Sequence, residues 1–302
     1  MADTLSAQVA ESVVEIVTST IELIPHKAPL SNLVVRKNIT KGHDRIEIPR
    51  VNSTSSVQTP TEGDELVLTS QFDLTSTTIQ PTRRVIMVRV GARATQFSAD
   101  DVIALVSEEL AQTEAVDIDL DIAAEFTNLT CFTASTAGIG GGTGVNLVLS
   151  DLRHARALLK NNPRSSGGPA PGRIHCVFSP IQEEDLFADF GATGIAGLTM
   201  NGNPAQMGGI PMEIIQQYHV PQNAVFGMDL WADGNLTEDA NGDLTVGIFS
   251  EKAIYFAVSK DWDMKTFEVP NWDGVILRAI ADYNSGVGAY PKWGGSILVD
   301  GA

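Results

Sequence analysis

The sequence predicts an α+β fold, and three observations support this class. Residues 98–128 contain no proline or glycine and repeat apolar residues at helical spacing, which predicts one very long helix. Residues 48–90 begin and end like β-strands but are mostly serine, threonine and turn residues in between. The second half of the chain contains apolar strand-like segments that do not alternate with helices as βαβ units do.

The composition is that of a globular chain and narrows the possible functions. Of its 302 residues, 43% are apolar, which is enough for one large domain or two smaller ones. The net charge of −17 argues against a dedicated nucleic-acid binder, because phosphate contacts need Lys and Arg. No apolar run is long enough to cross a membrane, and acids stand where a secretory signal carries bases. Cys131 and Cys176 lack metal-binding spacing, so we expect two buried thiols in a reducing compartment.

The first predicted element is an amphipathic helix over residues 5–23. Its apolar residues repeat at helical spacing from Leu5 to Ile21, and Pro25 ends the pattern. Such a helix either packs on its own domain or forms an arm that docks on a neighbouring subunit. The basic, proline-containing stretch that follows favours the arm.

A long two-stranded ribbon is predicted next. Ile46, Ile48 and Val51 alternate with charged or small residues, and residues 84–90 carry a second strand pattern. We expect these two strands to form the base of a ribbon whose outer half is polar. An isolated ribbon is only marginally stable in water. The ribbon therefore needs a partner surface, which the adjacent sequence does not supply.

The helix predicted over residues 98–128 would be roughly 45 Å long at the usual helical rise. Ser98 and Asp101 have the spacing of a capping box, with Asp in place of the usual Glu or Gln. Nine acids and no base lie between Asp100 and Glu125. We expect the acids of the outer helix face to be solvated.

The rest of the chain predicts a mixture of helices and strands. Asn241-Gly242 predicts a hairpin turn between strands, and glycines are dense over residues 191–209. The predicted helices cover 146–160 and a short segment ending at Phe190, and the predicted strands cover 173–178, 225–231, 244–249, 254–259, 265–269 and 275–281, with an apolar segment at 287–299.

No motif predicts catalysis, a cofactor or a metal. The glycine run 138–144 is not a phosphate loop, because the next lysine is Lys160. Residues 239–243 resemble the start of a calcium loop, but Leu244 and Ser250 stand where that loop needs Gly and Glu. The five histidines are scattered, and His175 in an apolar strand is interpreted as a core residue. The protein is not expected to be an enzyme.

The order of these segments resembles the major capsid proteins of tailed bacteriophages, whose Hong Kong 97-type fold is shared with encapsulins and herpesvirus capsid floors. The resemblance covers nearly the whole chain and depends on sequence order more than on any single motif. The matching segments are DRIEIPRV, TPTEGDELVLTSQFDLTSTTI, RRVIMVRVGARATQFSADDVIALVSEELAQ, DIDLDIAAEF, GRIHCVFSPIQEEDLFADFG and ILRAIADYNSGVGAYPKWGGSILVDG.

This resemblance implies a division into domains. An N-terminal arm covers residues 1–44, and an extended loop with flanking strands covers 45–93. A peripheral domain covers 94–160 and 254–302 and contains the long helix as its spine, while a mixed α/β axial domain covers 161–253. In this family the extended loop lies on an adjacent subunit, so the burial partner of the ribbon is a second copy.

The resemblance also implies function and partners. The chain would assemble into hexamers and pentamers that form the icosahedral head shell around a double-stranded DNA phage genome, in the virion after assembly in the host bacterial cytoplasm. A scaffolding protein, a portal and a decoration or cement protein are implied, and no membrane or cofactor. About 45 residues precede the ribbon, too few for a fused scaffolding domain, so we expect a separate scaffolding protein. The residues implied as inter-subunit contacts are Glu62, Asp64, Phe72, Arg83 and Arg84.

Two further expectations follow from the resemblance. Some family members cross-link the extended loop through a lysine, but no lysine lies between Lys41 and Lys160. A negative shell lining would leave packaged DNA mobile, so some acids of residues 100–125 are expected to face the interior. The alternatives are an encapsulin-like compartment shell and a β-rich hydrolase, which would form a small oligomer with a deep polar pocket.

Overall fold

A computed structural model describes residues 28–40, 42–51, 59, 74–91, 102–186, 226–268 and 274–301. The predicted N-terminal helix, most of the polar ribbon and the glycine-dense stretch 191–209 lie outside the described residues. In chain order the helices and strands are β1 (Val35–Asn38), β2 (Ile46–Val51), β3 (Leu74–Ile79), β4 (Thr82–Gly91), α1 (Val102–Ala124), α2 (Leu149–Lys160), β5 (Ile174–Phe178), a helical segment over 180–186, β6 (Asp229–Ala232), β7 (Asp243–Ser250), β8 (Ile254–Glu268), β9 (Gly274–Val287) and β10 (Gly294–Asp300).

The chain divides into two units. The first contains Met1–Ile46, Ile79–Ile122 and Phe256–Gly286, and the second contains Glu47–Thr78, Ala123–Tyr255 and Val287–Ala302. Helix α2 and strand β10, which the sequence analysis groups with the peripheral domain, both belong to the second unit. Which unit is peripheral and which is axial stays a prediction.

The first unit is built on a four-stranded sheet in the order β1-β8-β9-β4. Strand β4 pairs antiparallel with β9, with Arg84 opposite Ala281 and Val88 opposite Leu277. Successive side chains of a strand point to opposite faces. On one face of β4 the apolar residues pack with Leu110 of helix α1, and these residues are Ile86, Val88 and Val90.

The second unit is built on a sheet in the order β10-β7-β5-β6. Strand β5 is buried at every position, because it lies between β7 and β6 and carries the continuous apolar pattern of an interior strand. Helix α2 covers this core with the apolar stripe Leu152, Ala155 and Leu159. Both the helix and the strand were predicted from the sequence, the helix with a start at residue 146 instead of at Leu149.

The predicted pairing of the ribbon strands is wrong. Strand β2 pairs with β3, and β4 pairs with β9 instead of with β2. Strand β3 has few apolar residues and was not predicted. Pro81 separates β3 from β4. Strand β4 instead pairs with β9 over ten residue pairs, which places the alternating apolar residues of β4 beside those of β9.

The turn at Asn241-Gly242 is present, but it does not join two paired strands. Gly242 has a positive φ of 82°, and Asp239 Oδ1 accepts hydrogen bonds from the backbone N–H groups of Asn241 and Asp243. The strands on either side of it, β6 and β7, are not neighbours, because β5 lies between them and runs parallel to β6. A local turn signal therefore predicted the bend correctly and the strand pairing wrongly.

Other predicted boundaries also changed. The strands predicted over 254–259 and 265–269 form the single strand β8. The long helix is confirmed over Val102–Ala124 and continues as a 3₁₀ turn over Glu125–Asn128, while residues 98–101 lie outside the described part.

Candidate assembly interface

The face of β4 that points away from helix α1 is exposed. Its side chains are Arg83, Val85, Met87 and Arg89. Val85 is 46% exposed and Met87 is 62% exposed, which is unusual for apolar residues in the middle of a ten-residue strand. We name these four residues the outer β4 face.

Strand β9 continues this surface beside the outer β4 face. The antiparallel register places Ile280 beside Val85 and Arg278 beside Met87. The Arg278 guanidinium lies over the exposed ring of Phe267, 4.5 Å from its centroid. The surface is therefore apolar and cationic in a chain whose net charge is strongly negative.

Strand β4 is also an edge strand of its sheet. Among the described strands it has β9 on one side and none on the other. Long edge strands with exposed apolar residues pair readily with another chain. The outer β4 face thus has the composition that a protein–protein contact requires, and it lies on a strand whose second edge is not paired with any described strand.

The inner face of β4 carries a polar network with helix α1. Arg84 Nη2 donates to Asp121 Oδ1 at 2.7 Å, and Arg84 Nε lies 3.7 Å from Asp117 Oδ2. The Tyr283 hydroxyl donates to Asp117, and the backbone N–H of Ser285 donates to Asp121 Oδ2 at 2.7 Å. Helix α1 is therefore attached to β4 and β9 by hydrogen bonds as well as by apolar packing.

A cavity of about 590 Å³ also opens in the first unit. Its walls include the aromatic residues Phe256, Trp262 and Tyr283. Arg36 and Lys260 also line it. Arg36 is paired with Asp261, and Lys260 Nζ lies 2.6 Å from Asp263 Oδ2. Because both cations are already paired, the cavity offers mainly aromatic and aliphatic contacts.

Solved structures match the chain closely in fold. The capsid of the cyanophage P-SCSP1u superposes with a TM-score of 0.62 at 14% identity, covering 90% of this chain and 88% of the other. The mature capsid of bacteriophage PhiM1 gives 0.58 at 14% identity, covering 88% and 85%. The virus-like particle from Pyrococcus furiosus gives 0.55 at 12% identity, covering 93% and 96%.

The chain has the Hong Kong 97-type major capsid fold. The α+β class and the fold family predicted from the sequence are thereby confirmed. No protein-family model matches the chain, and no curated protein matches its sequence. At 12–14% identity these solved structures establish the fold of the chain.

Two of the five residues predicted as inter-subunit contacts are described, and they lie on opposite faces of β4. Arg83 lies on the outer β4 face, where its Nε donates to Asp282 Oδ1 at 2.9 Å. Arg84 points the other way and is engaged with helix α1. Glu62, Asp64 and Phe72 lie outside the described residues.

The acids of helix α1 are used differently from the sequence expectation. Glu108 and Glu109 are exposed, as expected of a solvated face. Asp119 is buried and accepts a hydrogen bond from the backbone N–H of Leu30 at 3.2 Å, and Asp117 and Asp121 bind residues of the sheet. Sequence reasoning missed this network, although Asp117 and Asp121 are four residues apart and so share one helix face.

The described pair of side chains that most resembles a catalytic pair, His175 and Asp229, is buried in the second unit. His175 in β5 is buried between the rings of Trp231 and Phe249, and its Nδ1 lies 3.6 Å from Asp229 Oδ2. Burial lowers the pKa of His175 more than the Asp229 carboxylate raises it. Across the described residues, no three His, Cys, Asp or Glu side chains are arranged to hold a metal ion. None of the described helices combines the length and apolar character that a membrane span requires.

Proposed function

We propose that this protein is the major capsid protein of a tailed bacteriophage, and that its copies form hexamers and pentamers of an icosahedral shell around double-stranded DNA. The observation that carries the proposal is the match of about 90% of the chain to capsid structures at TM-scores near 0.6. Like the capsid chains that it matches, it would have a structural role and no enzymatic activity.

The outer β4 face is the surface that we assign to contact between copies. Val85 and Met87 would leave water on assembly, and each Å² of apolar surface buried contributes about 25 cal/mol. The outer β4 face of one copy would meet a surface of the next copy that is not its own outer β4 face. Such a contact is heterologous and can close into rings. Within this proposal, Glu62, Asp64 and Phe72 of one subunit lie on the cationic and apolar outer face of the next, beside Arg83.

Other partners follow from the same proposal. A scaffolding protein, a portal and a decoration or cement protein would complete the head, which would be assembled in the host cytoplasm and remain in the virion. The packaged DNA would face the shell without specific binding, since the net charge of −17 opposes phosphate contacts. Exposed Glu108 and Glu109 are the described helix acids that could belong to such a lining.

Negative-stain microscopy of the concentrated wild-type protein tests this function. Shells, tubes or hexameric rings are expected. Small uniform particles, whatever the concentration, would contradict the capsid role.

Substitution of Met87 by Glu tests the assigned surface. The carboxylate would have to be desolvated in the contact, so we expect M87E to remain folded and to lose large assemblies in sedimentation velocity. The matched control is Val145→Glu, because Val145 is also an exposed apolar residue but belongs to the second unit. Assembly of M87E that equals the wild type would exclude the outer β4 face from the interface.

A further inference from the structure

Glu114 is a buried acid on the face of helix α1 that meets the sheet. It follows Leu110 by four residues and precedes Asp117 and Asp121 by three and seven, so the helical repeat places all four side chains on one face. Leu110 packs with Leu277 of β9, and the two aspartates bind residues of β4 and β9. Glu114 therefore lies between an apolar layer and a polar layer of the same contact.

The carboxyl group of Glu114 has no partner in this position. The residue is fully buried, and within the described part of the chain neither Oε1 nor Oε2 makes a hydrogen bond. An unpaired buried polar group costs free energy, and an apolar residue of similar size would pack better there. A group of this kind in a native core requires a physical explanation.

The charges that face Glu114 do not favour its ionised form. The cation that β4 brings to this helix face is Arg84, which is already shared between Asp121 and Asp117. The titratable group that β9 brings to this helix face is Tyr283, whose hydroxyl donates to Asp117. From helix α1 itself the facing groups are two further carboxylates. No ion pair or hydrogen bond joins Glu114 to a described residue, so its ionised form would be buried without a counter-charge.

Burial accordingly raises the pKa of Glu114 from its ordinary value of 4.5 to about 8. In the packed state the group is therefore a neutral acid at neutral pH. When helix α1 opens and water reaches the carboxyl, the acid ionises with its ordinary pKa.

We propose that Glu114 is a proton-dependent latch: helix α1 stays packed on its sheet while the carboxyl is neutral, and opening of the helix is coupled to loss of this proton. The latch is a property of the first unit and does not depend on the capsid function. The latch makes the attachment of the longest described helix to its sheet sensitive to pH. The contacts of Arg84 with Asp117 and Asp121 also hold the helix on the sheet, and they do not depend on the proton of Glu114.

The sign of the effect follows from proton linkage. Below about pH 4.5 both the packed and the opened state hold the proton, so the pH has no influence through this group. Between about pH 5 and 8 the opened state loses the proton and the packed state keeps it, so opening becomes about tenfold more favourable per pH unit. Above about pH 8 both states are ionised and the effect levels off.

Hydrogen exchange of the α1 amides, measured on the full-length protein at pH 6, 7 and 8 and corrected for intrinsic exchange rates, tests the latch. In the wild type, the opening constant is expected to rise about fiftyfold from pH 6 to pH 8, because the packed state is itself half ionised at pH 8. In Glu114→Gln most of this rise should be lost, because the amide does not titrate, and any remainder comes from Asp121, whose pKa burial also raises. Glu109→Gln is the matched control, since Glu109 is exposed on the same helix, and it should follow the wild type.

Two results would overturn the proposal. One is a parallel pH dependence of α1 exchange in the wild type and in E114Q. The other is a loss of the pH dependence in E109Q. If E114Q does not fold, Glu114→Met serves as a second non-titrating variant, and it should likewise lose most of the pH dependence in α1.

Discussion

At the residue scale, Arg84 shows how one cation can organise several acids. Its guanidinium binds Asp121 and approaches Asp117, and these carboxylates also accept hydrogen bonds from Ser285 and Tyr283. Burial still raises the pKa of Asp121, despite the hydrogen bonds from Ser285 and the charge of Arg84, which act in the opposite direction. The arginine therefore offsets only part of the cost of holding carboxylates at this contact.

Replacement of Arg84 by Met should leave both carboxylates without their cation. Breaking a fully buried ion pair costs about 3–5 kcal/mol, and because the Arg84 side chain is 35% exposed we expect R84M to lose about 2 kcal/mol of unfolding free energy at pH 7. The loss should shrink as the pH falls, since protonated carboxyls no longer need the guanidinium. Urea denaturation of the unassembled protein measures both effects.

Arg83→Met is the matched control, because the neighbouring Arg83 side chain is 68% exposed and also pairs with an aspartate. A surface pair of this kind contributes about 0–1 kcal/mol. Equal losses in R83M and R84M would show that the inner network does not stabilise the first unit.

The two cysteines differ from the sequence expectation at one position. Cys176 is fully buried, and burial raises the pKa of its thiol. Cys131 is half-buried and lies 3.6 Å from Asn162 Oδ1. Both thiols are free, but only one is a core residue.

At the element scale, glycine decides how closely strand β7 approaches the segment after helix α1. A Cβ atom built on Gly247 would lie 2.7 Å from the ring of Phe126, closer than real Cβ contacts. Phe126 in turn packs against Phe249, with ring centroids 5.4 Å apart. The absence of a side chain at position 247 is therefore what allows the Phe126 ring to lie on the sheet.

Gly247→Ala should overpack this contact and lower the unfolding free energy by about 1–3 kcal/mol. Phe126→Leu in the same chain should recover part of this loss, because a smaller side chain makes room for the new methyl group. Thermal unfolding of the single and double variants measures the coupling.

Gly234→Ala is the control for this experiment, since a Cβ at that turn would meet no atom within 4 Å. It should change the unfolding free energy by less than about 0.5 kcal/mol. Additive losses from G247A and F126L would show that the two residues do not constrain each other.

At the scale of the whole molecule, stability of the proposed shell would have to come from non-covalent contacts. No lysine lies between Lys41 and Lys160, so a lysine cross-link within the extended loop has no donor. The outer β4 face supplies apolar surface that such contacts can bury.

Assembled particles should therefore separate completely into single chains when they are boiled in detergent and run on a denaturing gel. A ladder of covalent oligomers would contradict this expectation. Particles treated with glutaraldehyde before denaturation provide the control in which a ladder must be seen.

The sequence by itself determined the local features of this protein. Periods of 3.6 and 2 residues predicted helix α1 and strand β4, because they report which side of an element is buried. The order of those elements predicted the capsid fold, which the structural matches confirm.

Only the tertiary structure decided which elements meet. The pairing of β4 with β9 joins residues about 190 positions apart, and local patterns contain no signal for it. The same holds for the inward role of Arg84 and the burial of Glu114, which read as ordinary surface charges in the sequence. The local sequence around a charged residue is the same whether its side chain is solvated or buried. Its burial is decided only when a strand that is distant in the sequence packs over it.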